Sequence, residues 1–184
     1  MKNSFKYLIF AFAIVSISLN ACKKDNLPDV DEEELITTIS LTFTNTTDAT
    51  DVKTITYRDL DGDGGNAPVI SNLSLKANKV YNVAVTSILN ETENPAEDVK
   101  EEVEEKKDEH LFVYKTTGAN LTFSNFDVDS KNLPVGFTAR GTTGAASNGT
   151  FTIVLRHQPN GVKNGTETPG STDLEATFPL AVVN

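Results

Sequence analysis

The sequence has few of the residues that stabilise small secreted domains or build nucleic-acid sites. Its 184 residues include one cysteine and no tryptophan. An intramolecular disulfide is therefore excluded, and the lack of tryptophan weighs against a module that stacks sugars on large aromatic faces. Basic residues are also few, because 16 Lys and Arg stand against 26 Asp and Glu for a net charge of −10. This balance disfavours nucleic acid and anionic lipid as partners.

Signatures of catalysis are missing as well. The chain has no G-x-S-x-G nucleophile elbow and no glycine-rich phosphate loop that opens a helix. Its carboxylates are so numerous that close pairs will arise by chance, so pairing alone does not indicate a general acid and base. We therefore expect a protein that is not an enzyme.

The amino terminus has the pattern of a signal peptide. Lys2 and Lys6 lead into an apolar stretch at residues 7–17, which is too short to span a bilayer. The motif Leu19–Cys22 (LNAC) follows and resembles the lipobox of bacterial lipoproteins. The resemblance implies that residues 1–21 are removed and that Cys22 carries lipid. Several acyl chains on Cys22 would anchor the protein stably to a membrane.

An acidic segment follows the predicted lipidation site. Residues 22–34 are polar, contain Pro28 and end in a run of acids, which is typical of a disordered tether. The segment also resembles the short acidic signals that send lipoproteins of Bacteroidota to the outer face of the outer membrane, although a solvated spacer has the same composition. We expect a lipid-anchored protein of the outer membrane at the cell surface, with one folded domain at residues 35–184.

The sequence of the predicted domain has the pattern of β-strands. Apolar residues alternate with polar ones, which is the period of a half-buried strand. About eight such segments, separated by Gly, Asn and Asp, predict an all-β fold: a single antiparallel sandwich of Ig-like architecture. The segments centre on Ile39 to Phe43, Ile55 and Tyr57, Tyr81 to Val85, Leu111 to Lys115, Leu121 to Phe126, Val135 to Ala139, Phe151 to Leu155, and Leu174 to Leu180.

One charged segment, Pro95 to His110, breaks the two-residue period. It has helix-forming composition, with Asn94 as the predicted N-cap and Glu97 at capping-box spacing. Val99 and Val103 give it a thin apolar stripe. The segment is predicted to be either a short exposed helix or a charged loop inserted between strands.

Two segments resemble calcium loops. Asp59, Asp61 and Asp63 fit the opening of an EF-hand loop, in which carboxylates converge on the ion. The bidentate Glu expected at position 12 is replaced by Ile70, so only a partial calcium site is predicted, and simple turn chemistry is the alternative. Residues 127–132 are a weaker match, because Lys131 stands where the third carboxylate should be.

The two histidines are candidate ligands for a transition metal or haem. His110 has the strand phase of Phe112 and Tyr114, and His157 continues the phase of Phe151, Ile153 and Leu155. Both side chains are therefore expected to point the same way. Glu109 or Glu105 could complete such a site. The alternative is that both histidines cap strand ends through hydrogen bonds.

Several motifs together resemble small lipoproteins of Flavobacteria and their relatives. The likeness extends over most of the predicted mature chain, and its motifs are Tyr57 to Gly65, Asp108 to His110, Pro134 to Gly136, Leu155 to Pro159 and Gly170 to Asp173. Some relatives carry the label of a type 1 periplasmic binding fold. That label denotes two α/β lobes built from a considerably longer chain, which this strand-rich sequence does not match.

This resemblance implies an envelope lipoprotein and leaves two classes of function open. The first is a non-catalytic module that captures a metal, haem or small nutrient, as an accessory to a TonB-dependent outer-membrane receptor. The second is a structural or adhesive surface protein with a calcium-stabilised loop.

The lipobox generates the first prediction. Cys22→Ala should leave an unlipidated precursor without a membrane anchor, because the thiol is the attachment point of the acyl chains. Protease added to intact cells should digest the wild-type protein. Resistance of the wild type until the cells are lysed would contradict exposure at the cell surface.

Overall fold

The computed structural model describes residues 34–62 and 64–184, which form a sandwich-like pair of β-sheets with one short helix. The predicted signal peptide, Cys22 and nearly all of the predicted tether lie outside the described residues. The described elements are β1 (Thr38–Asn45), β2 (Val52–Arg58), β3 (Val69–Ile70), β4 (Leu73–Lys76), β5 (Val80–Asn90), β6 (Glu97–Asp98), α1 (Val99–Glu105), β7 (His110–Thr117), β8 (Leu121–Ser124), β9 (Thr138–Thr143), β10 (Ser147–His157) and β11 (Ser171–Val183).

The strands divide between a larger and a smaller sheet. The larger sheet has the order β3-β2-β1-β5-β9-β8, and β6 pairs with β5 beside that path. The smaller sheet has the order β4-β11-β10-β7. The strand pairs are antiparallel apart from β4 with β11, which is parallel. The prediction of a largely antiparallel sandwich is therefore confirmed.

The two-residue period of the strands builds the core between the sheets. Ile39, Leu41 and Phe43 of β1 are each 0% exposed. On β10, Phe151 is also fully buried, and its ring centroid lies 5.9 Å from that of Phe43 in the other sheet. The ring centroid of Phe123 in β8 lies 5.2 Å from that of Phe151. Aromatic rings thus join the two sheets at the centre of the sandwich.

The helix is shorter than the sequence predicted, and its N-cap is different. Instead of starting after Asn94, the chain first extends as β6, which pairs with Leu89 and Asn90 of β5. Asp98 is the N-cap, because its side chain accepts a hydrogen bond from the backbone N–H of Lys100 at 3.1 Å. Residues that pair in a β-sheet have an extended backbone, so they cannot also be helical. The prediction that Asn94 caps the helix is therefore wrong.

The predicted apolar stripe of the helix is confirmed, since Val99 and Val103 are buried. Strand boundaries show smaller differences. The sequence placed a strand at Val135 to Ala139, whereas β9 begins at Thr138. The parallel strand β4 was not predicted, because its short apolar pattern carries no sign of its distant partner in β11. Among the described residues, no helix is long and apolar enough to cross a membrane.

The cap of α1 yields the second prediction. Asp98→Ala should lower the free energy of unfolding by about 1 kcal/mol, because the N–H of Lys100 loses its acceptor. Asp98→Asn should have a much smaller effect, because Asn is an equally good N-cap. Urea denaturation measures both. Equal losses in the two variants would mean that the carboxylate charge, and not the cap, is what stabilises the helix.

Candidate functional site

Polar side chains are buried at one end of the smaller sheet, where β7 begins, β10 ends and β11 begins. This end is called the polar end below. His110 and His157 are direct partners in the β7–β10 ladder. Their rings are stacked, with centroids 4.8 Å apart and planes 8° from parallel. The expectation that the two histidines point the same way is confirmed.

A β-bulge brings an acid to the same place. Leu155 pairs with Leu174 and Arg156 pairs with Thr172, which leaves Asp173 as an extra residue of β11. In regular alternation Asp173 would face outward, on the side opposite the buried Leu174. The side chain of Asp173 is instead 0% exposed. Bulges commonly redirect a side chain in this way next to functional sites.

A second acid comes from the start of the described chain. The sequence predicts Glu34 in the tether, but the Glu34 side chain is only 9% exposed and lies in the folded domain. Its Oε1 atom is 3.7 Å from Nε2 of His110, and Oδ2 of Asp173 is 3.9 Å from the same nitrogen. Glu34, His110, His157 and Asp173 are called the His–carboxylate cluster below.

The hydrogen bonding of His110 determines which nitrogen faces the acids. Nδ1 lies 3.0 Å from the carbonyl oxygen of Lys106. Because a carbonyl can only accept, Nδ1 carries the proton of the neutral ring and Nε2 presents its lone pair. Nε2 is buried and has no hydrogen-bond partner among the described residues. The lone pair is therefore directed at carboxylate oxygens, which is a favourable arrangement only when a proton or a cation lies between them.

Burial changes the protonation of both partners. It raises the pKa of Glu34 to about 7, with further increases from the charges of Glu102 and Asp173. It also lowers the pKa of His110 to about 4, so this imidazole is neutral at physiological pH. The cluster therefore combines acids with a neutral histidine, and the charge of the nearby Lys106 acts on both Glu34 and His110.

An open groove of about 530 Å³ adjoins the cluster. Its lining includes the start of β11 at Asp173, the chain just after Glu34, and the loop after β2. Leu35 and Leu60 supply apolar surface, and Glu175 adds an acid. The groove therefore extends to Asp173 at the edge of the His–carboxylate cluster, although the Asp173 side chain itself is shielded from solvent.

The predicted calcium loop lines the other side of this groove. Asp59 accepts a hydrogen bond from the backbone N–H of Gly62 at 3.0 Å. Asp61 accepts two from Asn66, at 2.9 Å from its backbone N–H and 2.7 Å from its side chain. These bonds lower the pKa of Asp61. The two acids thus serve as turn acceptors; Asp63 lies outside the described residues, and calcium binding stays a prediction.

The second calcium-like segment holds a buried ion pair. Nζ of Lys163 lies 2.9 Å from Asp129, and both side chains are 0% exposed. Nζ also donates to the carbonyl of Lys107 at 2.7 Å. Burial raises the pKa of Asp129, but the bonds from Lys163 and from the N–H groups of Leu133 and Lys131 together hold it below its ordinary value. The ion pair and its bond to Lys107 therefore connect the three loops that contain Asp129, Lys163 and Lys107 at the polar end.

The sequence identified only part of the cluster. His110 and His157 were predicted, whereas Glu109 and Glu105 are not among its members. The carbonyl of Glu109 instead accepts the N–H of Gln158 at 2.6 Å, and Glu105 is exposed at the end of α1. Asp173 was missed because a bulge reverses its facing, which the alternation pattern cannot show.

Comparisons with protein-family models, with curated proteins and with solved structures gave no match. The geometry of the polar end is therefore the basis for interpreting function.

The buried ion pair supplies the third prediction. Lys163→Met should lower the free energy of unfolding by about 3–5 kcal/mol, because the Asp129 carboxylate stays buried without its cation. Adding Asp129→Asn should recover part of that loss, since Asn still accepts from the loop amides but carries no charge. Urea denaturation of both variants measures the recovery. A double variant no more stable than Lys163→Met would show that the pair is not held by charge.

Proposed function

We propose that this chain is a lipid-anchored protein of the cell envelope that captures a ligand without catalysing a reaction. In this proposal it works beside an outer-membrane uptake receptor of the TonB-dependent kind. The anchor is supported by the lipobox at Cys22, and the receptor by the resemblance to small envelope lipoproteins. The capture function is supported by one structural observation, the His–carboxylate cluster buried at the edge of an open groove.

Burial of this cluster has no evident benefit for folding. A polar atom taken from water without a hydrogen bond costs about 1–3 kcal/mol in proteins, and an unpaired charge costs more. Nε2 of His110 is such an atom, and Glu34 contributes a carboxylate oxygen that is also buried without a hydrogen-bond partner among the described residues. Apolar side chains would serve the core better at these positions. A group retained at a cost to stability is typical of a functional site.

The same geometry favours binding over catalysis. His110, the natural general base of the cluster, is 0% exposed and held by the carbonyl of Lys106. A general base must come within hydrogen-bond reach of the proton it removes from a substrate. A ring enclosed in this way can contact a small ion but not the reacting atom of an organic substrate.

The alternative, an adhesive protein with a calcium-stabilised loop, has less support. Asp59 and Asp61 already accept hydrogen bonds from donors in or next to their own turn. Such bonds are sufficient reason for acids at these positions. The His–carboxylate cluster has no comparable set of hydrogen bonds to explain its acids.

The fourth prediction tests whether Glu34 is retained at a cost to stability. Its folded-state pKa of about 7 exceeds the ordinary value of 4.5, so the folded chain binds the proton more tightly between those values. The free energy of unfolding should fall as pH rises from about 4.5 to 7 and fall no further above that range. Glu34→Gln should remove this dependence. In chelator at pH 8 it should be more stable than the wild type by about 1 kcal/mol or more, after allowance for solvent screening.

Glu109→Gln is the matched control, because Glu109 is a neighbouring acid outside the cluster. The free energy of unfolding of Glu109→Gln should show no increase over the wild type that appears only at pH 8. Chemical denaturation of the three purified full-length chains at pH 4.5 and pH 8 makes the comparison. Loss of stability in Glu34→Gln at both pH values would identify the cluster as a structural network and would contradict the proposed capture function.

A further inference from the structure

The His–carboxylate cluster has the composition of a metal site. Ligand atoms of His110, His157 and Asp173 all lie within 4.8 Å of one another. Glu34 adds an oxygen 3.7 Å from Nε2 of His110. We infer that the cluster binds one divalent first-row transition-metal ion, with Zn²⁺ the best match. This inference rests on the proposed capture function and names its ligand.

The orientation of His110 is that of a metal ligand. A histidine that binds a metal through one nitrogen usually donates its other N–H to a carbonyl or carboxylate, which fixes the ring and its tautomer. His110 donates from Nδ1 to the carbonyl of Lys106. The remaining lone pair, on the buried and unbonded Nε2, is directed at Glu34 and Asp173.

The donor set selects the class of ion. Calcium and magnesium prefer oxygen ligands throughout, and copper(I) prefers sulfur. Two imidazoles with two carboxylates suit Zn²⁺, which binds nitrogen and oxygen tetrahedrally in proteins. The two carboxylates would also balance the charge of a divalent cation inside the protein.

The spacing requires the ligands to move closer together. Ligand atoms about 2.0–2.1 Å from a tetrahedral ion are roughly 3.3 Å apart. The separations of 3.7 and 3.9 Å around Nε2 of His110 must therefore shorten by about half an ångström, and ligand atoms as much as 4.8 Å apart must approach by up to about 1.5 Å. An ion also lies near the plane of each imidazole that binds it, so the parallel rings must tilt.

A bare ion fits better than haem, the other ligand considered for these histidines. Neither His110 nor His157 lines the groove, and His110 is 0% exposed. A porphyrin needs an open face above the iron ligand, which this packing does not leave. Asp173 does line the groove, but its side chain is 0% exposed, so an ion reaches the cluster from that side only when the chain around Asp173 opens locally.

The test uses the purified full-length chain in detergent, stripped with chelator and then dialysed against Zn²⁺, Co²⁺ or Ca²⁺. Elemental analysis should find a single Zn²⁺ or Co²⁺ per chain, and the Co²⁺ form should show the visible absorption of a four-coordinate ion. Zn²⁺ at about 100 times its dissociation constant should raise the thermal midpoint by roughly 5–10 °C. Ca²⁺ should not bind to the cluster, so the cluster should contribute no rise in the thermal midpoint when Ca²⁺ is added.

Three substitutions locate the site. Asp173→Asn and His157→Gln should each weaken Zn²⁺ binding by more than about 100-fold, since even indirect partners of a metal are worth about 10–100-fold. Glu105→Gln, which changes an exposed acid of α1 outside the cluster, should leave the affinity unchanged. Far-ultraviolet circular dichroism checks that each variant is folded, and the Co²⁺ spectrum of the wild type tests coordination without any variant.

Two outcomes would overturn the metal site. One is Zn²⁺ affinity that survives loss of both His157 and Asp173; the other is the absence of any bound Zn²⁺ or Co²⁺ in the wild type. If Glu34→Gln still gains stability at pH 8 while no metal binds, the capture function stands with a different ligand. If the wild type binds no metal and Glu34→Gln gains no stability at pH 8, both the metal site and the capture function are wrong.

Discussion

The inward-facing row of β10 is the constraint on which both the core and the site depend. Phe151, Ile153, Leu155 and His157 follow one another at every second residue and are all buried. The first of these rings contacts the opposite sheet, and the last stacks on the imidazole of His110. A strand cannot shift by one residue without turning this whole row outward. The register that fills the core with Phe151 therefore also places His157 at the polar end.

Around that row, the polar end contains both hydrogen-bonded groups and buried polar atoms without a partner among the described residues, including Oε1 of Gln158. The ion pair of Lys163 with Asp129 is fully buried but well bonded, and it fixes the loops around the end of β10. Gln158 also binds the carbonyls of Thr166 and Pro169. These contacts form a rigid polar frame. Nε2 of His110 also lies there without a hydrogen bond, and it faces the carboxylates of Glu34 and Asp173, which is the geometry on which the proposed metal site rests.

The sequence predicts the parts of this arrangement that follow from local periodicity. Alternation along β1, β7, β10 and β11 indicates the sandwich and shows that both histidines face inward. It cannot predict Asp173, because one extra residue in β11 reverses which side chain is buried. Nor can it predict Glu34, which reaches the cluster through a tertiary contact from an acidic segment whose composition is typical of disorder. The N-cap of α1 differs for the same reason, since pairing of β6 with β5 overrides the local capping pattern.

The position of Glu34 connects the site to the proposed anchor. It is the first described residue of the folded domain and also the member of the cluster nearest in sequence to Cys22, which precedes it by 12 residues. A fully extended chain of that length spans at most about 40 Å. If Cys22 carries lipid, the cluster lies within that distance of the membrane surface. In the proposed function, a captured ion would then be held within reach of a receptor in the same membrane. Lengthening the chain between Cys22 and Glu34 would change that reach without changing the contacts of Glu34 with His110, so the proposed site and the proposed anchor can be altered separately.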